Sequence, residues 1–188
     1  MKLELAYVGH EILRGKTHPV ETIDQSLLEL IASMKETVIS YRGLGLAAPQ
    51  VGVALSFFLA CFPEKSDEGH VIAGPPKVFI NPKISDPTPE TWVAEEGCLS
   101  IPKVYHEVER PVGITVTAQN EQGEWFTERL SGWNAKIVMH ENDHLNGVIF
   151  IDRISAGDKK RLHLEIERLK KHFRHHNDHL KLWHIESE

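Results

Sequence analysis

Apolar side chains first recur at helical spacing in residues 24–41, where Leu27, Ile31, Met34 and Val38 share one face and Thr22 or Asp24 stands at the N-cap position. The spacing predicts an amphipathic helix. It is stopped by GLGLAAPQVG (43–52), whose glycines and Pro49 break the helical pattern. The runs ALSFFLAC (54–61) and KVFINPKI (77–84) read as strands, and the polar stretch from Pro63 to Pro76 between them reads as a loop. In VGITVTAQ (112–119), Val112, Ile114, Val116 and Ala118 alternate with the period of a half-buried strand. NEQG (120–123) then supplies a turn into EWFTERL, which predicts a hairpin. Residues 133–145 return to helical spacing and stop at Asn146-Gly147, and a long polar helix begins near Asp158. No repeat or linker divides the chain, so 1–157 reads as a single catalytic domain and 158–188 as a C-terminal polar helix or tail.

Composition narrows the function classes. The 188 residues suit one domain, since single domains commonly run to roughly 100–200 residues. Lys and Arg number 21 against 27 Asp and Glu, a net charge of −6, which argues against a DNA-binding or membrane-surface protein. Two cysteines exclude a disulfide framework. No apolar run is long enough for a membrane span, and the opening MKLELAYVGHEILRGK has no block fit for a signal peptide. The expectation is a cytoplasmic protein with reduced thiols, in which a cysteine serves more readily as ligand or nucleophile than as cross-link.

The chemistry concentrates in His140-Glu141-Asn142-Asp143-His144, inside the second helix. Residues four apart lie on one face, so both imidazoles reach one metal ion while Glu141 stands close enough to handle a proton. Two histidines on a helix also occur as plain surface residues, but here the Glu and the helix stop accompany them. Catalytic sites usually take three protein ligands plus an open position, so the third ligand decides the class. The metzincin pattern fails because Phe150 stands where a histidine belongs. Glu165 or Glu167 would make a thermolysin-like peptidase. Cys98, in Glu95-Glu96-Gly97-Cys98-Leu99-Ser100, is the third option, and Cys61, at the end of an apolar strand, reads as core filler.

Taken together and in this order, GLGLAAPQ (43–50), EGCLS (96–100) and HENDH (140–144) resemble the three signature motifs of peptide deformylases, over a similarity running from the N-terminus to about Ile154. The resemblance implies an α+β fold with antiparallel β-sheets packed around a central helix carrying the HExxH motif, followed by a C-terminal helix. It implies one divalent metal ion held by Cys98, His140 and His144, commonly Fe²⁺, with Zn²⁺, Ni²⁺ or Co²⁺ able to substitute. The implied reaction removes the N-formyl group from the N-terminal formylmethionine of nascent polypeptides and releases formate. Glu141 would act as general base and then acid, and Gln50 and the Leu99 N–H as oxyanion donors. Were the protein a silent, metal-stabilised homologue instead, intact Glu141 and Gln50 would be unexpected.

The G-x-G-x-x-A within GLGLAAPQ also resembles a dinucleotide-binding turn, but it follows a helix rather than a strand, so it reads as a wall of the active site with Gly45 exposing its backbone. Counting back from His140 along its face places Ile137 and Trp133 beside the metal, opposite Leu44, as a methionine pocket; ordinary core packing is the plain alternative. Glu96 and Arg110 are expected to form a buried ion pair behind the Cys98 loop. Two departures stand out from the family pattern: Met139 where many members carry Gln, and Tyr105 where an Arg or small residue is common. His172, His175, His176 and His179 are read as a solvated polar face. Residues 158–188 carry +2 on a body of −8, which is compatible with a ribosome contact through the C-terminal helix.

Overall fold

The computed structural model describes residues 2–183. Helix α1 (Gln25–Ser40) begins where the Asp24 carboxylate accepts the Leu27 N–H at 2.8 Å, so Asp24 rather than Thr22 is the cap. Strand β1 (Gly45–Ala47) leads into a 3₁₀ turn over Ala48–Val51. Strands β2 (Phe57–Ala60), β3 (Pro63–Lys65), β4 (Val71–Ala73), β5 (Lys77–Ser85), β6 (Thr91–Cys98), β7 (Ile101–Pro111), β8 (Gly113–Gln119) and β9 (Trp125–Ser131) follow, and then helices α2 (Gly132–Leu145) and α3 (Ala156–His179).

Five strands form one antiparallel sheet in the order β1-β2-β5-β8-β9. Its central strands are apolar on both sides because both faces are covered. Leu46, Leu59, Val78 and Ile80 meet Leu27, Leu30, Ile31 and Met34 of α1, while Phe58, Phe79, Ile114 and Val116 meet Ala135, Val138 and Met139 of α2. This explains why ALSFFLAC reads as a continuous apolar run rather than an alternating one. Helix α2 also touches β7, so the HExxH helix lies between the large sheet and the β6–β7 hairpin. A third cluster joins Val8, Ile101, Val104, Val108, Phe150 and Ile166, which docks α3 on the body.

One feature differs from the expectations, and a second left no periodic signal in the chain. The stretch read as a polar loop from Pro63 to Pro76 contains a short exposed hairpin, β3–β4. The β6–β7 hairpin has no apolar alternation to announce it, because it directs charged Glu96 and Arg110 inward and buries both. Its register shifts between Gly97 and Cys98, where Lys103 adopts a φ of 65°. Among the described residues no helix is long and apolar enough to cross a membrane.

Candidate active site

Helix α2 and the end of β6 bring three ligating side chains together. The sulfur of Cys98 and one nitrogen each of His140 and His144 lie within 4.8 Å of one another, the only such group of three among the described residues. The i, i+4 spacing brings the two rings edge to face, with centroids 5.2 Å apart. His144 Nε2 is 3.3 Å from Cys98 Sγ, and the ring is fully buried. Burial, with His140 and Arg110 nearby, pushes His144 well below its ordinary pKa and keeps it a neutral imidazole, the form that ligates metal. A thiolate with two imidazoles suits one tetrahedral divalent ion with an open fourth position, so the donor set fits a catalytic metal.

The tautomer of His140 is set from behind. Its Nδ1 donates to Glu96 Oε2 at 2.8 Å, which leaves Nε2 for the metal side. Glu96 is gripped in turn by Arg110, through Nε at 2.5 Å and an NH2 contact at 2.9 Å, and by Lys136 at 3.2 Å. Burial alone would raise the Glu96 pKa, but the hydrogen bonds from Arg110 and His140 outweigh it and hold the carboxyl well below the usual carboxylate range. Arg110 also donates to Asp143 at 2.9 Å, one residue before His144. The ion pair expected behind the Cys98 loop is therefore part of a larger buried network that reaches a ligating histidine.

Glu141 is 4% exposed, and its Oε2 has no hydrogen-bond partner among the described residues. Burial pushes its pKa up to about 7, with the carboxylates Glu96 and Asp143 adding to the rise and the Arg110 guanidinium opposing it. Gly45 of β1 abuts this carboxylate so closely that a Cβ there would overlap it. Gln50 accepts the Ala47 N–H at 2.8 Å through Oε1. That turns its Nε2 toward Cys98 Sγ at 3.4 Å and Ser100 Oγ at 3.2 Å.

A cavity of about 530 Å³ opens over these groups. Leu44, Gly45, Gln50, Cys98, Leu99, Trp133, Ile137, His140 and Glu141 all contribute to its wall, so every expected site residue except the fully buried His144 faces it. Ile137 is buried, whereas Trp133 is half exposed at the rim, edge-on to Trp92. Met139 lies in the core against the large sheet. Tyr105 lies over Gly97 at the cavity mouth.

The competing third ligands do not arrive: Glu165 and Glu167 are exposed on α3, with Glu167 paired to Lys170 at 2.7 Å, and Phe150 stacks 6.3 Å from the His140 ring. Of the tail histidines, His176 departs from the solvated reading, donating to the Leu5 carbonyl at 2.8 Å. The contacts of Glu96 with His140, and the presence of Tyr7 in the cavity wall, had no local signal, since each joins residues far apart in the chain.

Comparison with known proteins gives the family. Residues 2–160 match the model of the polypeptide deformylase family. A peptide deformylase of Thermotoga maritima is 47% identical over 151 residues, covering 80% of this chain and 86% of the relative. The crystal structure of peptide deformylase from Ehrlichia chaffeensis superposes with a TM-score of 0.81 at 35% identity, over 94% of this chain and 99% of that one. A peptide deformylase from Acinetobacter baumannii with Met-Ala-Ser bound gives a TM-score of 0.76 at 32% identity, over 82% and 99%. The chain belongs to the peptide deformylase family.

Proposed function

We propose that this protein hydrolyses the N-formyl group from the formylmethionine at the start of nascent polypeptides, releasing formate and a free amine, and that Cys98, His140 and His144 hold the metal. The observation that carries the reading is the convergence of one sulfur and two imidazoles beside a buried carboxylate with an unpartnered oxygen, at the wall of a cavity. When bound, a divalent ion supplies Lewis acidity to water and to the formyl oxygen. We assign Fe²⁺ as the native ion, with Zn²⁺, Ni²⁺ and Co²⁺ accepted by the same mixed donor set.

The chain's own groups do the rest. Glu141 takes the proton of the attacking water and returns it to the departing amine, a task suited to a pKa of about 7. Gln50 Nε2 and the Leu99 N–H donate to the formyl oxygen as negative charge gathers there. Leu44, Gly45, Trp133 and Ile137 receive the methionine residue. The metal, and with it the hydrolysis, depends on Cys98, whereas a peptidase built on Glu165 or Glu167 would not need it. Cys98→Ala is therefore expected to lose both bound metal and formate release from formyl-Met-Ala-Ser. Retention of either contradicts the assignment.

We further assign the protein to the cytoplasm, with the basic residues exposed on α3 as a contact to the ribosome. Co-sedimentation with ribosomes tests this contact: charge reversal at Arg168, Lys171 and Arg174 is expected to abolish it, and undiminished binding would remove α3 from consideration.

A further inference from the structure

The Leu5–Val8 segment runs between the active site and the C-terminal helix, and its backbone groups alternate in what they serve, as extended chain does. On one side, the Ala6 N–H donates to the Gln50 carbonyl at 2.8 Å and the Val8 N–H to the Ser100 carbonyl at 2.8 Å. These contacts tie the segment to the residue whose amide faces Cys98 and to the turn that follows Cys98. On the other side, the Tyr7 N–H donates to Asn177 Oδ1 at 3.1 Å, Asn177 Nδ2 donates back to the Tyr7 carbonyl at 3.1 Å, and the Leu5 carbonyl accepts from His176. The Asn177 amide thus bonds one residue's N–H and C=O together, as a neighbouring antiparallel strand would. The Tyr7 ring stacks on Phe173 with centroids 3.8 Å apart and an interplanar angle of 14°, while the same residue lines the active-site cavity beside Tyr41.

We propose that the last turns of α3 position the active site: Phe173, His176 and Asn177 hold Leu5–Val8 so that Gln50, the Cys98–Ser100 turn and the Tyr7 wall keep their places around the substrate. The proposal rests on the deformylase reading of the site and adds three positioning residues that lie beyond the stretch matched to the family. The character of the contacts favours positioning over bulk stabilisation. Of the 24 residues of α3 only Ile166 is buried, with Leu162 and Leu169 partly so, and all three lie before its last two turns. Its polar side chains at this end are instead directed at the backbone of residues 5 and 7, where they fix placement. The segment they hold is one hydrogen bond away from both sides of the reacting centre. Tyr7 and Tyr41 line the same cavity as Gly45 and Glu141, so the held segment also supplies part of the wall that a peptide substrate would meet.

The test compares wild type, Asn177→Ala, Phe173→Leu and the exposed control Leu164→Ala in steady-state hydrolysis of formyl-Met-Ala-Ser, with rates expressed per bound metal and thermal midpoints measured alongside. Small misplacements of binding groups are costly, so kcat/KM per metal is expected to fall about tenfold in Asn177→Ala and Phe173→Leu, with KM raised. Leu164→Ala should match wild type. Phe173→Leu keeps an apolar contact and removes only the ring stack, so it carries the expectation on its own should Asn177→Ala fold poorly. Lowered thermal midpoints with kcat and KM per metal unchanged would overturn the proposal and leave α3 as a stabiliser. Failure of the deformylase reading shows separately, as wild-type protein that binds metal and releases no formate.

Discussion

His140 Nδ1 and Glu96 Oε2 lie 2.8 Å apart, which joins an imidazole on α2 to a buried carboxylate on β6. Behind that contact Arg110 clasps Glu96 within the hairpin and donates to Asp143 of α2 at 2.9 Å, so the hairpin that presents Cys98 and the helix that presents the two histidines are locked together by charge.

Arg110→Ala removes the cation shared by Glu96 and Asp143, leaving Glu96 with Lys136 and His140 and Asp143 with Arg153. Breaking a buried pair outright costs about 3–5 kcal/mol, and the partners that remain hold the loss below that range. Denaturant unfolding should show that loss. The pH dependence has a definite sign: Glu96 is depressed in the folded state, so its contribution is complete above the unfolded carboxylate value and fades as pH falls toward the folded one. Arg110→Ala should therefore unfold at higher pH than wild type during acid titration. An unchanged acid midpoint would contradict the network.

Gly45→Ala places a methyl group where Glu141 stands. The carboxylate must move, and we expect kcat to fall by about 10- to 100-fold with metal content retained. Wild-type kcat in this variant would show that Glu141 tolerates displacement and would remove it as proton carrier.

The two thiols should separate by reactivity. Burial, with Glu141 nearby, pushes Cys61 up to about 11. At pH 8 only about one molecule in a thousand then carries a Cys61 thiolate, the nucleophilic form. Metal-stripped native protein treated with iodoacetamide should gain one label, at Cys98, and metal-loaded protein none. Mass spectrometry reads the count. Labelling of Cys61 in folded protein would contradict its burial.

Much of this site was legible in the residues. The i, i+4 histidines define a helix face whatever the surrounding fold, while Cys98 and Gln50 came from the resemblance of the three motifs to peptide deformylases. Strands β2, β5, β8 and β9 and helices α1 and α2 were readable because apolar burial leaves a period in the chain. The β6–β7 hairpin left none, since its inward positions hold Glu96 and Arg110, which local pattern assigns to the surface. The role of residues 5–8 was equally hidden. Asn177 and Tyr7 are 170 positions apart, and no local signal marks an asparagine that pairs with distant backbone.

The most direct test is formate release from formyl-Met-Ala-Ser by wild type and Glu141→Gln carrying equal amounts of the same metal. The wild type should release one formate per peptide and leave the peptide bonds intact, while Glu141→Gln, with its ligands untouched, should be slower by about 10²- to 10⁴-fold. No formate from the metal-loaded wild type, or equal rates from both proteins, would contradict a deformylase working through Glu141.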